Sequence, residues 1–385
     1  MKVICLFLLP LLAVLAVACG DDSGPETTDA PPSASPVGTA SPEAATSDPT
    51  PTAEPTPIPP LTLDGIFPPR DLSALGLDTG RVRTVIATGD VIPARYVDFT
   101  IRNMGDDFLF TVRPTMDIVS DADITLINLE APLVDYCPVH VDGFTFCGRP
   151  GFTEALNAAG VDVVTLENNH IGNYGGTGID ETVAHLEAAG IDWADRYSPS
   201  IIDVGGMTFG FIAFNAVGED IDHEAMVTKI AELDPQVDVL AVSYHWGGEY
   251  TSLPIISPGI ANDNPIDIAH LAVDAGADLV IGNHPHWVQA VEFYNGKFIT
   301  YAHGNYIFDQ TWSEETRLGV IGKYTFYDDE LIGVEYFPTR IEDSMQTMPL
   351  EGQLRQDVLD GMARASHDLR ADLDAGVYPD VTPGA

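Results

Sequence analysis

The chain has 385 residues, with 58 acidic side chains against 17 lysines and arginines and a formal net charge of −41. So acidic a surface repels nucleic acid and anionic membrane, which excludes both as partners. The excess acid is spread along the chain and reads as a solvated acidic surface, and the length leaves room for two or three domains.

The first residues, MKVICLFLLPLLAVLAVAC, hold one lysine, a short apolar core and small residues before Cys19. This is the pattern of a secretory signal, too short for a stable membrane span. LAVACGDDSG also resembles a lipobox, so residues 1–19 are expected to be a lipoprotein signal peptide. The mature chain would then start at a lipidated Cys19, outside the cytoplasm, touching the membrane through that anchor alone. Ala16 stands where leucine is more usual, so free secretion is the alternative. Residues 20–80 follow, rich in Pro, Ser, Thr and Ala, with no Lys or Arg as far as Pro60. They cannot bury enough apolar surface to offset their ordering entropy and read as a disordered tether.

From Arg81 strand-length apolar runs alternate with helix-like segments. RTVIATGD runs into Asp90 and DADITLINLE into Glu130. GFTEALNAAGVDVVTLENNH reads as helix, Ala-Gly stop, strand and then Asn169-His170. DVLAVSYHWGGEY ends a strand at His245. IDIAHLAVDAGADLVIGNHPH gives a helix, a stop, a strand and then His284 and His286. The alternation predicts an α/β domain over residues 81–342 with a largely parallel sheet in its first half. Ligands of such sheets sit beyond the carboxyl ends of the strands. Here five successive strand ends deliver Asp, Glu, Asn-His, His and His-x-His.

Between Glu130 and the next helix, YCPVHVDGFTFCG carries Cys137 and Cys147 in a short hairpin or loop. Outside the cytoplasm such a pair is expected to be a disulfide, worth roughly 2–3 kcal/mol on a chain-entropy model; two free thiols are the alternative. Later segments alternate around the turn signals Asn295-Gly296 and Asp328-Asp329 and predict antiparallel hairpins that complete a second sheet. Residues 343–385 form a C-terminal extension with helical periodicity, either docked on the domain or partly free.

Mixed carboxylate, amide and imidazole ligands suit one or two divalent transition ions such as Mn, Zn or Fe. Asp90, Glu130, Asn169, His245, His284 and His286 can supply two neighbouring spheres, with a bridging carboxylate between them. His170 is then spare, and a spare imidazole beside a metal pair is a natural general acid. If two ions bind, His284 and His286 are expected to serve different ones.

Residues 84–310 resemble the CapA family of capsule or poly-γ-glutamate synthesis proteins, which is related to the calcineurin-like metallophosphoesterases. The resemblance rests on GDVIPAR, NLEAPL, AAGVDVVTLENNHIGNYGGTGIDETVAHLEAAGI, SYHWGGEY and AGADLVIGNHPHWVQAVEFYNGKFITYAHGNYIFD, in family order. It implies a four-layer α/β/β/α sandwich of mixed sheets, with Asp90 as the first aspartate, Glu130 as bridge, Asn169 as ligand and His170 as proton donor. His245, His284 and His286 would be the remaining ligands. The family's Asp-x-His is here Asp90-Val91-Ile92, which removes one ligand and puts a full two-metal site in doubt. Asn173 stands where aspartate is frequent and would support the site with Glu249, His303 and Asn305; His303 is either a compensating ligand or a loop residue beside the site. Arg95 and Arg149 could bind an anionic substrate or pair with local carboxylates. The implied function is capsule or poly-γ-glutamate synthesis or export. Either the chain hydrolyses phosphoesters or an anionic envelope polymer, or it is a non-catalytic accessory subunit working with membrane proteins of capsule assembly.

Overall fold

The structure, a computed structural model, describes residues 58–379. In chain order its strands are β1 Val82–Val91, β2 Ile124–Leu129, β3 Val163–Thr165, β4 Asp192–Ala194, β5 Ser200–Val204, β6 Met207–Asn215 and β7 Val239–His245. Then follow β8 Leu279–Asn283, β9 Val291–Tyr294, β10 Lys297–Thr300, β11 Asn305–Ile307, β12 Leu318–Tyr327, β13 Glu330–Ile341 and β14 Thr347–Pro349.

Two mixed sheets result. One runs β14-β13-β12-β1-β2-β3-β4, with β11 also paired to β1; the other runs β5-β6-β7-β8-β10-β9. β1 to β4 are mutually parallel, as are β6, β7, β8 and β10. Alternation along each strand sorts the apolar residues into layers. Val85, Ala87 and Leu126 of the first sheet meet Phe209, Phe211, Ala241 and Ile281 of the second in a core between the sheets. Ile86, Ile127 and Val164 point the other way, against residues of the helices Tyr96–Asn103, Phe152–Ala158 and Gly175–Ala189. Val242, Val280 and Ile299 likewise pack against the helices His223–Leu233 and Pro265–Asp274. The fold is therefore a four-layer α/β/β/α sandwich.

Two expectations need correction. The hairpin β12–β13 does not join the second sheet; β12 runs antiparallel to β1 and extends the first. Its apolar alternation fits either sheet, and only pairing with the free edge of β1 decides. The chain is ordered before Arg81: Leu61, Leu63 and Ile66 are buried in the core between the sheets. Pro-rich composition masks so small an apolar contribution. Of the two alternatives for the C-terminal extension the structure takes the docked one: the helix Gly352–Asp374 places Val358, Leu359 and Met362 in the core between the sheets and Ala365 and Leu369 in the outer one. The signal, Cys19 and the tether as far as residue 57 lie outside the described residues.

Candidate metal centre

The parallel strands of both sheets end at one edge. Asp90 lies at the end of β1 and Glu130 directly after β2; Asn169 and His170 follow β3. From the other sheet, His245 closes β7, and His284 and His286 follow β8. The segment Tyr301–Gly304 crosses between the two sets of strand ends. A Cβ on Gly89 would lie 2.1 Å from the Gly304 carbonyl oxygen, and one on Gly282 2.0 Å from that of Tyr301. Only glycine permits so close a passage, and the passage delivers His303 and Asn305. His284 and His286 flank Pro285 with φ of 98° and 56°. Backbone in this region is costly for side chains other than glycine and persists where the surroundings impose it.

At the centre, His245 Nε2 lies 3.0 Å from Asn169 Oδ1 and 3.4 Å from Glu130 Oε1. His286 Nδ1 is 3.2 Å from Asp90 Oδ2. Two groups of ligand-capable atoms form, Asp90–Glu130–His245 and Glu130–His284–His286, and within each group the atoms lie within 4.8 Å of one another. Glu130 belongs to both. His284 and His286 fall in the same group.

Glu130 is fully buried, and neither of its oxygens has a hydrogen-bond partner; neither has either ring nitrogen of His284. Buried polar atoms without partners cost free energy, so their gathering in one place calls for a ligand. Burial, and then the charge of Asp90, pushes the Glu130 carboxyl well above its ordinary range. Burial opposes the charge of Asp90 too, but the hydrogen bond and charge of His286 win and hold it below its ordinary value. Burial also opposes charge on His286; the bond to Asp90 and the field of Glu130 and Asp90 outweigh it and raise the imidazole to about 9. Burial drives His245 down to about 4 and His284 well below its ordinary value. Two carboxylates and three imidazoles, partly unpartnered, fit a divalent cation, and the mixed oxygen and nitrogen donors fit a transition ion.

Around this set the supporting side chains are mostly amides. Asn128 Nδ2 donates to Asp90 Oδ1 at 2.9 Å, and Asn168 Nδ2 donates to Asn128 Oδ1 at 3.1 Å. Asn305 Oδ1 accepts from His286 Nδ1 at 2.9 Å while its Nδ2 donates to the Thr316 carbonyl, which leaves His286 Nε2 free to ligate. Glu249 Oε1 stands 3.9 Å from that Nε2. His170 Nδ1 donates to Asn173 Oδ1 at 3.1 Å. Burial lowers His170 to about 4. Asn128 and Asn168 were not singled out from the sequence; the available signal was an asparagine inside the buried run of β2.

Other expected residues go elsewhere. Arg95 is bonded through Nε and Nη2 to Asp309, and Arg149 through Nε to Asp98 and Nη1 to Asp106, so both take the alternative of pairing with carboxylates. His303 is buried with Nε2 2.7 Å from the Tyr324 hydroxyl, in a side-chain contact within the core between the sheets rather than in either ligand group. Cys137 and Cys147 form a disulfide with Cα atoms 5.7 Å apart. They approach His140 closely, but cross-linked sulfurs are not thiolate ligands.

The molecule is thus an α/β/β/α sandwich whose sheet edges converge on a buried carboxylate–imidazole cluster. The family model "Bacterial capsule synthesis protein PGA_cap" matches residues 84–310, and the chain belongs to that family. It is 27% identical to the "PGA biosynthesis protein CapA" of Bacillus subtilis (strain 168) over 293 residues, covering 70% of this chain and 74% of that one. It is 26% identical to the "Capsule biosynthesis protein CapA" of Bacillus anthracis, covering 68% of each. Among solved structures, a hypothetical protein from Thermus thermophilus aligns with a TM-score of 0.43 and 17% identity, over 66% of this chain and 98% of that one.

Proposed function

We propose that the chain is a metal-dependent hydrolase of capsule or poly-γ-glutamate synthesis, lipid-anchored outside the cell membrane. Its substrate would be a phosphoester or a related anionic group of an envelope polymer. The observation that carries this reading is Glu130, buried, without a partner, and shared by two groups of ligand atoms. Asp90, Glu130, Asn169, His245, His284 and His286 would hold one or two divalent ions. Such an ion supplies Lewis-acid polarisation of the scissile group and neutralises charge that develops there. Asp90 and Asn305 orient His286, and Asn128 orients Asp90. His170 is held neutral, with Nδ1 donating to Asn173, so at neutral pH its Nε2 accepts a proton before it can deliver one. A cavity of about 1060 Å³ opens beside Asn168 and Asn169. Full-length protein loaded with manganese or zinc should hydrolyse a generic phosphodiester or monoester, or cleave the polymer. A metal-loaded protein inert on a broad panel would count against the reading.

One observation favours a second reading, a polymer-binding accessory subunit without catalysis. His170 is supported by the neutral amide of Asn173, which raises its proton affinity too little to offset burial. Restoration of surface polymer in a deletion strain by the His170→Ala protein would support the accessory role; failure of that variant would return weight to catalysis.

A further inference from the structure

The loop between Glu130 and the helix Phe152–Ala158 is built more firmly than a surface connection needs. Its base is closed by Val134 N–H donating to Gly148 O (3.0 Å) and Gly148 N–H donating to Pro132 O (2.9 Å). One limb is tied to neighbouring helices, through Asp135 N–H donating to Glu181 and Arg102 donating to the Cys137 carbonyl, each at 2.9 Å. The disulfide then joins the two limbs, and the Tyr174 hydroxyl lies 3.2 Å from Cys147 Sγ.

Next to Cys147 is Phe146, buried at the foot of the loop. Its backbone N–H donates to Asn173 Oδ1 at 2.6 Å, the same oxygen that accepts from His170 Nδ1. Its ring centroid lies 4.2 Å from the His170 ring. On its other sides the Phe146 ring meets Phe308 at 5.6 Å and the Arg95 guanidinium at 5.0 Å. A backbone donor on Asn173 settles which end of that amide is oxygen. An oxygen there can only accept, so His170 must carry its proton on Nδ1 and leave Nε2 bare. Among the described residues no side chain is hydrogen-bonded to that Nε2.

We propose that the Cys137–Cys147 loop is a positioning element for His170, in which the disulfide holds Phe146 so that its N–H fixes Asn173 and its ring fixes the imidazole. Phe146 and Asn173 act through His170 and are positioning residues. The proposal deepens the reading of His170 as the proton carrier of the site, but its test does not depend on turnover. It also gives the cross-link a role beyond stability: a reduced loop would leave His170 free to change tautomer and orientation.

The chain has ten histidines. In full-length protein labelled with ¹⁵N-histidine, the oxidised form should show His170 as a single neutral tautomer, protonated at Nδ1. The Cys137→Ala/Cys147→Ala protein should lose that signature at His170 by tautomer averaging, and His140, which lies within the loop beside both sulfurs, should shift as well, while the other eight histidines keep their resonances. Phe146→Leu, which retains the disulfide, should shift the His170 ring signals alone through loss of the aromatic neighbour. An unchanged His170 signature in the cysteine variant would overturn the proposal, as would all ten histidines shifting together, the mark of a cross-link that only holds the fold. Because tautomer and not hydrolysis is read, loss of the positioning claim and loss of the hydrolase claim remain distinguishable.

Discussion

Asp90 Oδ2 lies 3.2 Å from His286 Nδ1, and through this contact the first strand of one sheet grips the loop that leaves β8 of the other. The pair carries a proton that a divalent ion would contest. His286 is raised to about 9 and is protonated near neutrality, and Glu130 is raised above its ordinary range. Ligation requires them deprotonated. Metal binding is therefore expected to release protons, and affinity should rise with pH up to about 9. Calorimetric titration with Mn²⁺ or Zn²⁺ in two buffers of different ionisation enthalpy reads the release directly. Identical heats in the two buffers would show that no proton is displaced.

Glu130 is the residue on which the centre depends most. Glu130→Gln preserves size but removes the charge shared by both groups of ligand atoms. Elemental analysis should show the purified variant losing most of its metal, with His284→Ala and His286→Ala losing part. The same substitution relieves the repulsion with Asp90, so the metal-free variant should be no less stable than the metal-free parent. Wild-type protein with no bound transition metal would remove the basis of the site.

The strand-end residues were legible in the sequence because each buried apolar run stops abruptly at a group that cannot be left unsatisfied, as the run of β2 through Leu129 stops at Glu130. The two-sheet arrangement was less legible. β12 and β13 alternate like any hairpin, and their place beside β1 depends on which edge is open. Arg95 shows the same limit from the other side: its partner Asp309 is distant in sequence, and no local pattern announces the pair. Phe146 reads as loop hydrophobe until the disulfide and Asn173 are placed in space. Leu61, Leu63 and Ile66 were hidden by composition, since three apolar residues after a Pro-rich run do not alter its average.

His170 gives a pH-dependent prediction with a definite sign. Its folded value of about 4 lies below the ordinary 6.5, because burial disfavours the imidazolium. As pH falls below 6.5 the unfolded chain takes up the proton first, so the stability contribution of neutral His170, complete above that pH, is lost between 6.5 and 4. In the metal-free protein its resonances should stay those of a neutral ring at about pH 5.5. Asn173→Asp supplies a carboxylate where both existing contacts are accepted bonds, so it should be tolerated and should raise His170 by about 1–3 units. NMR titration checks both statements, and an unmoved His170 in the variant would sever it from residue 173.

Arg95 and Asp309 make the last prediction, because they decide between substrate binding and structure for the arginine that packs over Phe146. Their side chains are only 8% and 3% exposed. Asp309 also accepts from Tyr96 N–H, and the guanidinium packs over the rings of Phe146 and Phe308. Removing one partner of a buried pair leaves a charge in a poorly solvating place, which costs about 3–5 kcal/mol. Arg95→Ala and Asp309→Ala should each destabilise the protein by that order, read from the shift of the urea midpoint. The double variant should fall short of the sum, because it no longer strands a charge. A substrate-binding arginine would behave otherwise: Arg95→Ala would leave the midpoint nearly unchanged and raise KM. Arg95→Lys separates the cases further, since an ammonium cannot reproduce the guanidinium's planar fork on Asp309 and should recover only part of the lost stability.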